Sequence, residues 1–339
     1  MIRVAAVRSG SMLVGWLVLA GIVGAIAIVS LGIGQVSIAP GEVLGALLAG
    51  PTTLEGRIVF DLRLPRLLLA MLVGAQLAIS GAILQGVTRN ALASPDLVGI
   101  TAGAGFAAVL IVLVFVDAPA FVLPLAALIG GATSGAIVYL LAWKQGVSPE
   151  RLALTGIAVT AIFQAAVTAV VTLRVEQAQA QQALRWLAGS LYGRGWDELL
   201  VLLPWSVVGI AGAMLLAHKV NILLLGDAVA SGLGMRTERA RMTLVAIAIA
   251  LAASAVSVAG TMAFIGLVIP HLIRLLIGAN HRLVLPFSAL AGAVLLLVAD
   301  DVARTVFETR EIPAGLFTAL IGAPYFIYLI MRRKTQISV

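Results

Sequence analysis

The sequence predicts an all-α polytopic membrane protein, with ten transmembrane helices and both termini cytoplasmic. Three observations predict it: the composition, the spacing of charge-free runs, and the side on which basic residues fall. Hydrophobic residues make up 61% of the 339 positions and charged residues 11%, with a mean hydropathy of +1.12. A soluble domain carries about 25% charged residues, so this composition excludes one. The chain has no cysteine, which excludes disulfides, thiolate metal sites and cysteine nucleophiles. The net charge of +7 reads as basic loops facing anionic lipid, not as a nucleic-acid surface.

Charge-free runs measure the spans, because a charge at mid-bilayer is costly. They cover 9–41, 67–88, 97–116, 118–143, 152–173, 199–218, 242–273, 283–299 and 312–331. The first follows Arg3 and Arg8 and far exceeds the ~7–15-residue apolar core of a secretory signal, so it reads as a retained span. The seventh, 242–273, would make a helix of roughly 48 Å at 1.5 Å per residue, against a hydrocarbon core of about 30 Å. Gly260, Gly266 and Pro270 punctuate it. It is therefore divided into two spans, the second short or irregular, which brings the total to ten.

Loop charge agrees with ten spans. With the N-terminus inside, the inner segments hold 14 of the 22 basic residues, including all the lysines and the Arg332-Arg333-Lys334 cluster. Nine spans would carry that cluster outside, against the positive-inside rule. The whole chain, 1–339, is read as a single transmembrane domain with one long basic inner segment at 221–241. A short echo links Ser80-Gly81 with Gln85-Gly86 to Ser257–Gly260 with Ile265-Gly266. The two copies would run in opposite directions, as in inverted-repeat transporters.

Aspartate, glutamate, lysine and arginine are missing from these runs, whereas ion-coupled carriers place charged groups near the substrate. The polar residues within or at the ends of spans are mild: Gln76, Ser80, Gln85, Thr160, Gln164 and Thr168. None of the lysines follows a glycine, so the G-x-x-x-x-G-K-[ST] phosphate cradle is absent and the chain is not expected to be an enzyme. His218, His271 and His281 lie in separate segments and read as helix-end or interfacial groups. No cofactor or metal is expected, and any energy source must be a partner.

The 221–241 segment is where a partner would dock. Asp227 is a candidate cap for a short helix that Gly232 or Gly234 could end. Leu223, Leu224, Leu225, Leu233 and Met235 would form an apolar surface suited to a protein groove. An ordinary interfacial helix is the alternative.

The stretch Gly226-Asp227-Ala228 through Leu233-Gly234-Met235 resembles the coupling helices of FecCD-type ABC permeases. Further stretches resemble the same family: Arg63-Leu64-Pro65-Arg66, Ser80–Gln85, Arg89–Gly99, Phe264–Arg274, Ala299–Arg304 and Glu311–Gly315. The resemblance implies the type II ABC importer permease fold in the bacterial cytoplasmic membrane. It also implies a second permease subunit, two cytoplasmic ATP-binding subunits and an extracytoplasmic substrate-binding protein. The implied cargo is a ferric siderophore, with haem or cobalamin as alternatives; a stand-alone channel or secondary carrier is the competing class. Trp186–Gly193 resembles siderophore members more than cobalamin members.

By the same resemblance, Gly226, Asp227, Ala228, Leu233, Gly234 and Met235 couple to the ATPase, and Arg63, Arg66 and Arg304 dock the binding protein. Arg63 and Arg66 would otherwise be headgroup anchors. The inner gate would lie at Ser148-Pro149-Glu150, where a glutamate stands in place of the family's usual small hydroxyl residue. Gln85, Asn90 and Gln164 are the further candidates for the translocation path.

Overall fold

The computed structural model describes residues 9–334 apart from 35, 116, 117, 120, 144–148, 174–176 and 308–310. Within lipid, every backbone polar group must find a partner inside the protein, and helices do this locally. Accordingly the regular structure among the described residues is helical. In chain order it comprises α1 (Ser9–Gly32), α2 (Pro40–Ala49), α3 (Leu54–Arg57) and a π-helical segment (Ile58–Arg63) that runs directly into α4 (Leu64–Thr88). Then follow α5 (Ile100–Val114), α6 (Val122–Ala142), α7 (Pro149–Leu173), α8 (Gln177–Leu187) and α9 (Trp196–Leu224). The series closes with α10 (Asp227–Gly232), α11 (Thr237–Ala259), α12 (Ile265–Ile277), α13 (His281–Thr305) and α14 (Ala314–Lys334). Six described helices are long and apolar enough to cross a membrane: 54–88, 122–142, 151–173, 196–224, 237–259 and 281–305.

Helix α4 is the central post. From Val73 to Thr88 it is buried without interruption, and α9, α11, α12 and α13 all pack on it. Small residues permit this approach. A Cβ built on Gly74 would overlap the Gly292 carbonyl of α13, and one on Gly81 would overlap the Gly266 carbonyl of α12. α5 and α6 form a second unit against α11, with α7 on their flank. Local chemistry fixes several helix starts. Glu198 accepts from the Gly195 N–H at 2.9 Å, and Asn280 caps α13 by accepting from the Arg282 N–H at 3.1 Å.

The long apolar run divides where glycine allows it. α11 stops at Gly260, whose φ is +71°, and residues 260–264 run without regular structure to α12, which has only 13 residues. Pro270 lies inside α12 instead of breaking the run. The freed backbone groups find partners nearby. The Ser190 N–H donates to the Ala259 carbonyl at 2.8 Å and the Gly315 N–H to the Gly189 carbonyl at 3.0 Å, while the Thr261 hydroxyl donates to the Leu187 carbonyl.

Replacing Gly81 by alanine should destabilise the protein by roughly 1–3 kcal/mol, the usual cost of overpacking, because backbone and not a flexible side chain blocks the new methyl. Gly45→Ala, where nothing stands within 4 Å, should not. Thermal midpoints in detergent would test the contrast, and equal midpoints would contradict it.

Candidate functional site

At the end of α9 the chain turns through Gly226 (φ +97°) into the six residues of α10. Ala230 is the residue of α10 that is buried; Asp227, Ala228, Val229, Ser231 and Gly232 are exposed, as are Leu233 and Gly234 beyond its end. Gly234 (φ +79°) reverses the chain, and the Met235 N–H then bonds the Ala230 carbonyl at 3.1 Å. Two expectations are corrected here. Leu223 is buried at the end of α9, and Met235 packs against the core once the turn at Gly234 directs it inward. The apolar face offered outward is Leu225, Val229 and Leu233. Asp227 is not a capping side chain either: Gly226 is the N-cap. The Asp227 carboxylate instead accepts two bonds from Arg241, at 2.9 and 3.1 Å, and stands 3.7 Å from Arg89.

Next to this helix, the end of α4 is locked to α12. Gln85 is buried, donating to the Gly266 and Leu267 carbonyls at 3.2 and 3.1 Å and accepting from Arg274. Its amide is thus occupied as a structural tie and does not face a path. Asn90 caps the following turn, its oxygen accepting from the Leu92 N–H at 3.0 Å. It borders a small cleft with Thr88, Leu97, Leu152 and Ala153.

Helix α7 differs from the other long helices. One side packs on its neighbours, with Gly156 pressed against the Leu97 carbonyl, yet most of it is uncovered. Gln164, Thr168 and Thr172 lie four residues apart on the uncovered surface. The Thr168 hydroxyl donates to the Gln164 carbonyl at 3.0 Å and the Thr172 hydroxyl to the Thr168 carbonyl at 2.8 Å. Polar side chains are unfavourable against lipid tails, so this row calls for water or protein opposite. Ser148 lies outside the described residues, and Pro149 and Glu150 form the first turn of α7.

The opposite end of the bundle carries an ion-pair knot. Arg66 grips Asp300 with two 2.9 Å bonds and Glu311 with a third at 2.9 Å. Arg304 pairs with Asp301 and donates to the Ile33 carbonyl at 3.2 Å. Ser30 donates to Asp301 at 2.7 Å. Arg63 donates to the Leu31 carbonyl at 2.7 Å and to that of Val36. All three predicted docking arginines therefore converge, but as largely buried groups with internal partners. They line the floor of a groove bordered by Asp61, Leu62, Tyr192 and Arg194.

A family model for the FecCD transport family matches residues 22–332. The chain belongs to that family. The Fe(3+)-citrate import system permease protein YfmE of Bacillus subtilis is 44% identical over 93% of this chain and 93% of its own length. The Iron(3+)-hydroxamate import system permease protein FhuG of the same organism is 40% identical over 90% and 92%. A solved inward-facing structure, described as a metal-chelate type ABC transporter, superposes with a TM-score of 0.83 at 32% identity, covering 93% of this chain and 98% of that one. The chain is thus a multi-pass FecCD permease.

Sequence reasoning missed Asp96, although it stands within the Arg89–Gly99 motif of this FecCD chain. It lies between α4 and α5 and binds across to the irregular stretch before α12. Burial pushes its carboxyl up from 3.8 to about 6, although the Thr101 hydroxyl and the Phe264 N–H donate to it and work the other way. Phe264 is itself left-handed (φ +66°), an uncommon state for a bulky residue, so this bond helps to fix the entry to α12.

The sign of the linkage follows. The folded state holds the Asp96 proton more tightly than the unfolded chain, so this contribution to stability is fully present below pH 3.8 and is lost as pH rises through about 6. Asp96→Asn should remove that slope. Thermal midpoints of wild type and variant should lie closest near pH 4, where the wild-type carboxyl is neutral like the amide, and separate as pH rises through about 6, the wild type becoming the less stable; parallel curves throughout would contradict the assignment. In the knot, Arg66→Ala should cost about 3 kcal/mol, because buried Asp300 keeps only the Arg304 guanidinium, at 3.4 Å. Restored stability in Arg66→Ala with Asp300→Ala would identify that cause.

Proposed function

We propose that this chain is the membrane-spanning permease of an ATP-driven importer that moves ferric siderophore chelates across the bacterial cytoplasmic membrane. The named relatives, which import ferric citrate and ferric hydroxamate, support the cargo. Ten crossings, by α1, α4, α5, α6, α7, α9, α11, α12, α13 and α14, put both termini and α10 inside, in keeping with the distribution of basic residues.

The observation that carries this reading is the uncovered α7, polar along Gln164, Thr168 and Thr172, together with an apolar, ion-paired α10 on the inner side. A second permease subunit facing α7 would enclose a mildly polar passage for an intact chelate, with Pro149 and Glu150 at its inner mouth. With no thiol in the chain, iron would travel in its chelator. Two ATP-binding subunits would receive Gly226, Asp227, Ala228, Leu233 and Gly234, with Met235 supporting the turn from behind. An extracytoplasmic binding protein would dock over the groove above Arg63, Arg66 and Arg304. Pairing with Asp300, Asp301 and Glu311 holds Arg66 and Arg304 rigid beneath the docked protein.

Replacing Asp227-Ala228 by Arg-Arg should abolish chelate uptake while leaving membrane insertion intact. Normal uptake by that variant in cells lacking other ferric-chelate importers would sink the coupling assignment. Arg304→Glu should weaken association of the binding protein, more at low than at high salt. An affinity independent of ionic strength would remove Arg304 from the docking surface.

A further inference from the structure

We infer that Arg241 is the positioning residue that fixes α10 to the transmembrane bundle, and that Asp227 is the joint through which α10 acts on α4 and α11. This rests on reading the α10 turn as the ATPase-docking surface.

The pairing is lopsided. Arg241 lies in the first turns of α11 with its side chain 4% exposed, whereas its partners Asp227 and Glu238 are 49% and 42% exposed. It donates to both Asp227 oxygens and to Glu238 at 2.7 Å. Burying a guanidinium is costly, and replacing a buried ion pair by apolar residues is often neutral or stabilising. Arg241 also continues the buried stripe of α11 that holds Leu244, Val245 and Ala248, where an apolar side chain would serve packing better. Stability alone does not account for the charge; its geometry does. Nη2 reaches both Asp227 oxygens while Nη1 holds Glu238, so the planar group is fixed in direction as well as distance.

α10 needs such a fix. Six residues are too few for a self-sustaining helix, and within it Ala230 is the buried anchor. Arg89, the left-handed residue that ends α4, stands 3.7 Å from the same Asp227 oxygen that takes the shorter Arg241 bond. One turn earlier on α4, Gln85 holds the first turn of α12. A displacement of α10 is therefore delivered to α11 directly and to α4 and α12 through Arg89. When a partner covers α10, water leaves the half-exposed Asp227 and both contacts strengthen in the lower dielectric. The joint is loose in the free permease and stiff in the docked one.

The test uses the absence of cysteine from the chain. A single Ser231→Cys on the exposed side of α10 takes a spin label in the full-length permease in nanodiscs, without any ATPase. Arg241→Gln should increase label mobility, Arg241→Lys should do so partially, and Glu238→Gln should not. In proteoliposomes with the ATP-binding subunits and the loaded binding protein, Arg241→Gln should retain the ATPase and hydrolyse ATP. Chelate moved per ATP should fall about tenfold, a typical coupling between sites, and Glu238→Gln should stay near wild type. Unchanged mobility or an unchanged transport ratio in Arg241→Gln overturns the proposal, as does an equal loss in Glu238→Gln. If Arg241→Gln fails to insert, Arg241→Lys carries both readouts with the same criteria. Failure of the wild-type permease to retain the ATPase would overturn the docking reading instead, and the label would still decide the role of Arg241.

Discussion

Inside a bilayer no water is available to satisfy a broken helix, and the rest of this structure depends on how that requirement is met. The chain breaks its helices at 89–99, 188–195 and 260–264, and each break is tied to a neighbouring helix. The Ser190 N–H meets the Ala259 carbonyl, and the Gly315 N–H meets that of Gly189. Ser134 donates to the Gly99 carbonyl at 2.7 Å, and Gln85 donates to the first carbonyls of α12. The irregular stretches are thus held by the helices around them, and displacing one would expose polar groups on its neighbour.

Helix α4 connects these ties to the two ends of the molecule. One end carries Arg66 in the ion-pair knot, and the other carries Gln85 and Arg89 beside the α10 turn. Between them, Gln76 shares a 2.8 Å hydrogen bond with Ser206 of α9, and Ser80 donates to the Ala248 carbonyl of α11 at 2.7 Å. A post buried on all sides, with glycine at its closest approaches, transmits displacement along its length because packed interiors compress little. Helix α7 is the least covered of the six long described helices.

Much of this was legible in the sequence, for a physical reason: charge avoids the bilayer core, so charge spacing marks the spans, and the glycine at position 260 marks the break in the longest run. Side-chain roles were less legible. Gln76, Gln85 and Gln164 look alike as mild polar residues in apolar runs, yet two are internal ties and one is exposed. What separates them is the company of small residues around α4, among them Gly74, Ala78 and Gly81, which predicts neighbours on every side. Arg241 could not be told from Arg236 and Arg239 by composition. Helical spacing from Arg241 to Leu244, Val245 and Ala248 did hold the signal, since it puts one arginine of the three on the buried stripe. Arg304 pairs locally with Asp301, three residues away on α13, but the partners of Arg63 and Arg66 were not legible, because those contacts join distant parts of the chain.

That distance carries a consequence for biosynthesis. Arg66 lies 234 residues before Asp300 and 245 before Glu311. As the chain is made from its N-terminus, α4 reaches the membrane with a guanidinium whose counter-charges do not yet exist. Until α13 emerges, Arg66 must stay hydrated, so α4 cannot settle into its final packing. The last helices to be synthesised therefore seat the first ones, and a chain truncated before Asp300 would leave its central post unanchored.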